Sequence, residues 1–505
     1  MDRSKLVFLN ASVVFFTTIV NLVLGMIEVR LYLKTYGEQL NGLLQTGNQV
    51  LGYLSLIESG LCAAYLYSLY KPMGLQDYSK VSSLYVGFLK TMKRIVGKML
   101  VAAVVISALY PFLIKDKSLE YGTMFSVFIL LSLRIIMPYW FNIVPKYMII
   151  LKEQKYKAEL ISGMGSTLVF LIEIFLVLIW QPKIQILLII GVLMNLLISI
   201  LFKKLMKQLY ANQIDFNVSP NYEPNKMSKD LLAHNVSALV FNSTNNIVLS
   251  MAGTLSQVFV YSAYNTVTSQ VVSLIQRIID GTSVTIGLKI SRNETSSYFV
   301  YREILAGSFF IGGTITSVFI VMVNPFIGLW IGTKYELSNL DVCLFGLVLY
   351  ANIILPSIYV ARNAKGLFRE SRNFTVVQAL LNLIITLVLV PFMGITGALL
   401  GAVVARWFVG IPMNYQLVYK GVFPNEKSRW IEWFGNLLIL SIVVILSYQL
   451  QLLVFHFFYE NDLKSFVLQT FGVSGFSFCS FVIYYWATDK GFRGLVKRIL
   501  KRAVR

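Results

Sequence analysis

Long uncharged runs recur along this chain from end to end, and they limit what it can become. A run of about 20 apolar residues crosses the hydrocarbon of a bilayer as a helix. Only helices and closed barrels satisfy every backbone N–H and C=O there, and the period-2 alternation of barrel strands is absent. Hydrophobic residues make up 56% of the 505 and charged residues only 13%, a balance that excludes an ordinary soluble domain. The fold class read from this is an all-α polytopic membrane protein. Spans are predicted at 6–29, 42–69, 95–114, 121–145, 158–180, 184–202, 231–252, 257–288, 304–331, 341–361, 373–392, 395–419, 433–456 and 465–487, about 14 transmembrane helices.

A net charge of +20 invites a nucleic-acid partner, but its placement argues for topology. With a cytoplasmic N-terminus, the inner segments hold 34 of the 44 Lys and Arg, the outer segments hold seven, and Arg134, Arg277 and Arg406 remain inside spans. This bias is the positive-inside rule; it puts both termini in the cytoplasm, and no nucleic acid is expected. The basic tail from Lys490 to Arg505 reads as an anchor beside anionic headgroups. The first apolar run is too long for a signal-peptide h-region and no A-x-A-like site follows, so it reads as an uncleaved first span. Cys62, Cys343, Cys479, His234 and His456 have neither pairing nor metal-ligand spacing, and no metal or cofactor is expected.

The longest hydrophilic stretch runs from Lys203 to Asp230, and its two prolines, asparagines and lysines read as a cytoplasmic linker rather than a packed element. On either side the sequence repeats. Residues 6–26 and 231–251 match without gaps at eight of 21 positions, including Asn10/Asn235, Ser12/Ser237 and Asn21/Asn246. Ser55-Leu56-Ile57 echoes Ser273-Leu274-Ile275 more weakly. The first helix thus resembles the seventh and the second the eighth, a parallel repeat of the kind that places a transporter's substrate site between its halves. The expected organisation is an N-lobe (1–208), a linker (209–230), a C-lobe (231–420), and helices thirteen and fourteen with the basic tail (421–505). The two six-helix lobes are pseudo-symmetric. Segment 71–94 has apolar residues at helical spacing among Lys80, Lys90, Lys93 and Arg94, and fits either an amphipathic surface helix or an early start of the third span.

Polar residues inside the spans form stripes. On the eighth helix Thr266, Gln270, Ser273, Arg277 and Asp280 share one face. Asn10, Thr17, Asn21 and Glu28 do so on the first, Asn235, Asn242, Asn246 and Ser250 on the seventh, and Asn41, Gln45, Asn48, Ser55 and Ser59 on the second, with Glu58 alongside. Such stripes are costly in lipid, and an arginine at mid-membrane costs about 2.5–3.5 kcal/mol even on the mild insertion scale. They are expected to face one another around a wet cavity, with interhelical glue the alternative for any single Asn or Ser. Fixed charge marks a pathway, so Arg277 is the leading substrate-binding candidate, with Asp280 one turn away to hold it when empty. Arg134 and Arg406 also lie deep, and Glu173 is placed to pair with Arg134. A guanidinium fork binds phosphate bidentately, so deep arginines suit an anionic or pyrophosphate-bearing substrate, while Glu58 and Asp280 keep a cationic cargo open. The chain contains no Walker A pattern, Cys/His cluster or G-x-S-x-G elbow, and no enzyme activity is expected.

Two segments, PFMGITGALLGAVVAR (391–406) and YGEQLNGLLQTGNQVLGYLSLIESGL (36–61), resemble polysaccharide flippases of the multidrug/oligosaccharidyl-lipid/polysaccharide (MOP) exporter superfamily. The resemblance extends over the whole chain through its span number and 6 + 6 + 2 organisation. It implies a Wzx-type flippase, which moves undecaprenyl-pyrophosphate-linked oligosaccharide units to the outer leaflet for capsule, exopolysaccharide or O-antigen, beside a polymerase and other assembly proteins. Related lipid II flippases carry an arginine and an acid three apart on the eighth helix, which Arg277 and Asp280 match. They also carry an arginine in the second helix, where this chain offers Gln45, Asn48 and Glu58; that departure makes lipid II a poorer fit as cargo. A cation-coupled multidrug exporter of the same superfamily and a membrane-embedded glycosyltransferase or polymerase are the alternatives.

Overall fold

A computed structural model of the chain describes residues 3–152, 154–210, 213–225, 244–291, 296–427, 429–454 and 463–503; side chains within some helical stretches, 53–60, 277–278 and 280–289 among them, lie outside the description. Every regular element among the described residues is helical, as a chain built for hydrocarbon requires. Eleven helices among them are long and apolar enough to cross a membrane. The fourteen expected spans reconcile with that number. The first two share one merged helix, the seventh falls largely outside the described residues, and the eighth contains undescribed side chains. Large apolar residues such as Phe392 (83% exposed) and Phe471 (75%) cover the outside, which only lipid tolerates in this density. This is a multi-pass membrane protein.

The chain divides into two compact units, Met1–Phe259 and Val260–Arg505. The first opens with α1 (Arg3–Gly74), two helical segments joined at Gly37, whose φ of 81° lies where a side chain is strained. It continues with α2 (Tyr78–Leu113), α3 (Tyr121–Phe141), α4 (Ile143–Leu151), α5 (Lys155–Ile179) and α6 (Ile184–Tyr210). Asp77 caps α2, accepting the Lys80 N–H at 3.1 Å, and the helix then runs unbroken into the membrane. Residues 78–94 are therefore an early start of the third span, while 71–74 end α1. The span expected over 121–145 breaks at Asn142 between α3 and α4, with Pro138 and Pro145 on either side. Two apolar clusters fill the unit. One gathers Leu43, Val96, Phe128 and Leu187; the other centres on Tyr65 stacked on Phe88 at 4.7 Å, with Met148, Phe202 and Tyr210 around them.

Two segments depart from the sequence reading. Residues 213–223 lack regular structure yet are packed, where a free linker is expected. The Asn221 N–H donates to the Ser83 carbonyl (2.9 Å), the Asp215 N–H to the Ser82 hydroxyl (3.0 Å), and the Tyr65 hydroxyl to the Asn221 carbonyl (3.3 Å). Gly87 makes the room: a Cβ there would stand 2.0 Å from the Asn221 oxygen. Polar composition did not reveal this docking because the backbone makes most of it. The second segment is 244–259. Sequence repetition assigns it to the C-lobe, whereas the first compact unit contains it. Its helical part, 244–252, ends with the Ser250 hydroxyl 2.8 Å from that of Tyr110, and Leu255 sits where Gly42 has no side chain.

The second unit comprises α7 (Leu255–Ser291, shared at its start with the first), α8 (Ser297–Trp330), α9 (Asn339–Ala364), α10 (Phe368–Met393), α11 (Ile395–Val404), α12 (Ile411–Gly421), α13 (Trp430–Val454), α14 (Leu463–Thr488) and α15 (Lys490–Ala503). A π-helical turn, Ala405–Gly410, joins α11 to α12. α8 is the hub, with α9, α13, α14 and α15 packed against it. Gly312 and Gly313 admit Tyr350 of α9 and Phe481 of α14, and Phe309 meets Trp433 of α13 edge-on at 4.8 Å. Gly394, at φ 55°, turns α10 directly into α11.

The Gly87 contact sets an expected outcome. Gly87→Val should displace residues 213–225 and cost about 1–3 kcal/mol, the range of overpacking a filled site. Chymotrypsin should then cut at Phe216 or Tyr222 faster than in the unsubstituted protein, with the thermal midpoint lowered.

Candidate functional site

A cluster of buried charge lies inside the first unit. α3 carries Arg134 and α5 carries Glu173, and their side chains meet as a fork: Nη1 to Oε1 at 2.9 Å and Nη2 to Oε2 at 3.4 Å. Glu173 is fully buried, so the arginine supplies charge the carboxylate cannot obtain from water. The Tyr32 hydroxyl donates to Glu173 Oε2 (3.3 Å), and Glu28, one turn earlier on α1, lies against both. α6 accommodates the guanidinium with Gly191, where a Cβ would stand 2.8 Å from Nε, and Asn195 donates to the Arg134 carbonyl at 3.2 Å. The pairing of Arg134 with Glu173 is the one the sequence offered. The addition of Glu28 and Tyr32 was not foreseen; their four-residue spacing on α1 was the available signal.

Asn21 sits one level away and is engaged by α5. Its Nδ2 donates to the Gly163 carbonyl (3.3 Å) and its Oδ1 accepts from the Thr167 hydroxyl (2.9 Å). Thr17 fills the space beside Gly163. For this part of the first-helix stripe, the contacts are interhelical glue.

At the end of the first unit nearest Leu255, the loop between α2 and α3 holds the segment beyond residue 244. The Lys115 N–H donates to the Ser250 carbonyl (3.2 Å), Lys115 Nζ to the Ala252 carbonyl (3.2 Å), and the Leu255 N–H to Asp116 Oδ2 (3.3 Å). Partial burial pushes the Asp116 carboxyl upward, but the N–H groups of Ser118 and Leu255 outweigh it and hold the group below the ordinary aspartate range.

In the second unit Arg406 lies on the π turn, buried, its Nε donating to Asn352 Oδ1 at 2.7 Å and Nη1 reaching the Ala402 carbonyl at 3.5 Å. Such turns interrupt helices frequently at functional sites. Arg362, which the sequence reading placed just beyond a span, is also buried. It donates to Asn363 Oδ1 and Asn414 Oδ1 (2.8 Å) and lies over the Tyr359 ring at 4.3 Å. An apolar cavity of about 280 Å³ opens between α7, α8 and α14, lined by Val267, Val271, Phe319, Met322, Phe326 and Phe466.

The remaining candidates are dispersed. Gln270 is half-buried on α7, Asn48 is exposed on α1, and Asn246 is buried in the helical stretch 244–252. Arg277 and Asp280 lie one turn apart on α7 and Glu58 on α1, but their side chains are outside the described residues, as is Asn242 altogether. Missing from the sequence candidates is an ion cluster at the α8 end: Arg302 binds Glu432 (2.7 Å) and Asp489 (3.2 Å), and Glu303 binds Arg498 (2.9 Å). Separations of 130 and more residues left no local signal for it.

No protein-family model and no curated protein matches the chain. Solved structures do. The lipid II flippase MurJ in an inward closed conformation aligns with TM-score 0.69 and 14% identity over 94% of this chain and 99% of its own. An inward-facing multidrug resistance MATE family transporter of the MOP superfamily aligns with TM-score 0.62 and 14% identity over 83% and 99%. A mutant of the Vibrio cholerae MATE transporter VcmN aligns with TM-score 0.51 and 13% identity over 84% and 99%. The chain shares the fold of these flippase and transporter structures, and at this identity the likeness concerns architecture alone.

Two outcomes follow from the first unit. Arg134→Ala strands a buried carboxylate and should cost about 3–5 kcal/mol, whereas Arg134→Met with Glu173→Leu and Glu28→Gln should cost less, since the arginine and both acids leave together; thermal unfolding in detergent separates the two. Asp116→Asn should cost about 0.5–1 kcal/mol at neutral pH. Because the native pKa is depressed, that contribution is present above the unfolded value near 4 and fades as pH falls through the native one, so the midpoints of variant and parent should converge on acidification.

Proposed function

We propose that the protein is a flippase for an undecaprenyl-pyrophosphate-linked oligosaccharide unit, carrying it from the inner to the outer leaflet by alternating access of two lobes, N-lobe 1–208 and C-lobe 231–420. The observation that carries this reading is the extent of the likeness to MurJ: it takes in 94% of the chain, against 83% for the MATE transporter. Arg277 is assigned to the pyrophosphate, where a permanently charged fork is suited to two phosphoryl groups. Asp280, one turn on, holds the guanidinium between cycles. Polar residues of the first, second, seventh and eighth helices, Asn48, Glu58, Asn242, Asn246 and Gln270 among them, serve the sugar hydroxyls. The apolar cavity lined by Phe319, Met322 and Phe466 has the chemistry for a prenyl tail, since it gives hydrocarbon packing and demands no hydrogen bonds. No covalent bond changes in this cycle. A polysaccharide polymerase is the natural acceptor of the flipped unit at the outer face.

The MATE likeness carries the second reading, a cation-coupled multidrug exporter. One experiment separates them. In vesicles containing the purified protein and a fluorescent polyprenyl-pyrophosphate oligosaccharide, appearance of the headgroup in the opposite leaflet should fall at least tenfold for Arg277→Ala and partially for Arg277→Lys. Unchanged translocation in Arg277→Ala would remove the arginine from the mechanism, and drug efflux without headgroup translocation would establish the exporter reading.

A further inference from the structure

Helix α15, KGFRGLVKRILKRA, begins one residue after the end of α14. Asp489 is that residue. Its Oδ1 accepts the N–H groups of Gly491 (2.6 Å) and Phe492 (3.1 Å), and its Oδ2 receives Arg302 from α8 (3.2 Å). Around the helix axis, 100° per residue divides α15 into three arcs. The first faces α8: a Cβ on Gly491 would stand 2.8 Å from the Arg302 carbonyl, one on Gly494 would touch Phe299, and Arg498 binds Glu303. The second is apolar, with Phe492 buried against Phe310 (5.0 Å) and Tyr485 (5.8 Å), and Leu495 half-buried beside it. The third carries Lys490, Arg493 and Lys497 at i, i+3 and i+7. Lys490 and Lys497 are exposed, Arg493 is half-buried with its Nε lacking a hydrogen-bond partner, and none of the three makes an ion pair among the described residues.

We propose that this third arc is a binding surface for anionic phospholipid headgroups of the inner leaflet. Three observations argue it. The acids nearest α15 are all engaged elsewhere: Glu303 by Arg498, Asp489 and Glu432 by Arg302. Among the described residues, therefore, no acid neutralises the stripe. The helix is joined to a span by one residue, Asp489, so the arc lies at membrane-surface depth, where lipid phosphates are the counter-charge within reach. The apolar arc fixes the rotation of the helix, so the basic arc cannot roll under the bundle. Through Arg498–Glu303 and Arg302–Asp489, a headgroup held there also braces the end of α8, the hub of the unit. The inference depends on the membrane topology and goes beyond the flippase reading; its test uses no transport measurement, so either can fail alone.

The test is native mass spectrometry of the full chain in detergent with added phosphatidylglycerol or phosphatidylcholine. The parent protein should retain phosphatidylglycerol preferentially, and Lys490→Gln/Arg493→Gln/Lys497→Gln should weaken that retention about ten- to a hundredfold with phosphatidylcholine unaffected. The charge-conserving set Lys490→Arg/Arg493→Lys/Lys497→Arg should retain it. With the unsubstituted protein, about 1 M salt, which shortens the screening length to about 3 Å, should abolish the preference. Equal retention of both lipids, an unaltered preference in the neutral variant, or displacement of the lipid by inorganic phosphate or by an RNA oligonucleotide at equal concentration would overturn the proposal.

Discussion

Hydrocarbon offers a backbone amide no partner, and the architecture follows from that constraint. Every described span is a helix because a helix satisfies its own N–H and C=O groups. Burial then comes from packing with little hydrophobic drive, which is why glycine recurs at the tightest contacts. Gly42 against Leu255, Gly163 against Thr17 and Gly312 with Gly313 against Tyr350 and Phe481 are among the points where a side chain would not fit without a shift.

Charge inside the bundles obeys the same accounting at higher stakes. The Glu28, Tyr32, Arg134 and Glu173 group is assembled from three helices of one unit, so each helix fixes the others. Arg302 performs a comparable role at one end of the second unit, tying α8 to α13 and to the start of α15. In both, a fork-shaped donor bridges acids from separate elements, and removing it leaves more than one group without compensation.

What the sequence disclosed followed from periodicity. Apolar run length located the spans, and Pro391 with Gly394 marked the turn into α11. The Arg134–Glu173 pair was within reach because both residues stood out as charges deep in spans. Docking of 213–225 was not, because it is made by backbone groups that every residue carries; only Gly87 hinted at it, and a glycine in a helix has several readings. Stripes fared unevenly for a related reason. A polar face reports that something polar lies opposite without saying whether it is water, sugar or another helix; at Asn21 it is the α5 backbone and Thr167.

The π turn at Ala405–Gly410 has a geometric corollary. Gly401 faces Thr386 and Asn382 of α10, and Gly410 faces Gln378 of the same helix. In an uninterrupted α-helix, nine residues would set those two glycines about 180° apart, and only one could meet α10. The widened turn absorbs the offset, letting one side of the rod follow its neighbour along its whole length. Excising a single amino acid from 405–410 would restore ideal winding and leave α12, Asn414 included, close to its present phase, whereas a deletion elsewhere in the rod would rotate everything beyond it by about 100°. Natural length variation should therefore be tolerated at this bend and avoided on either side of it.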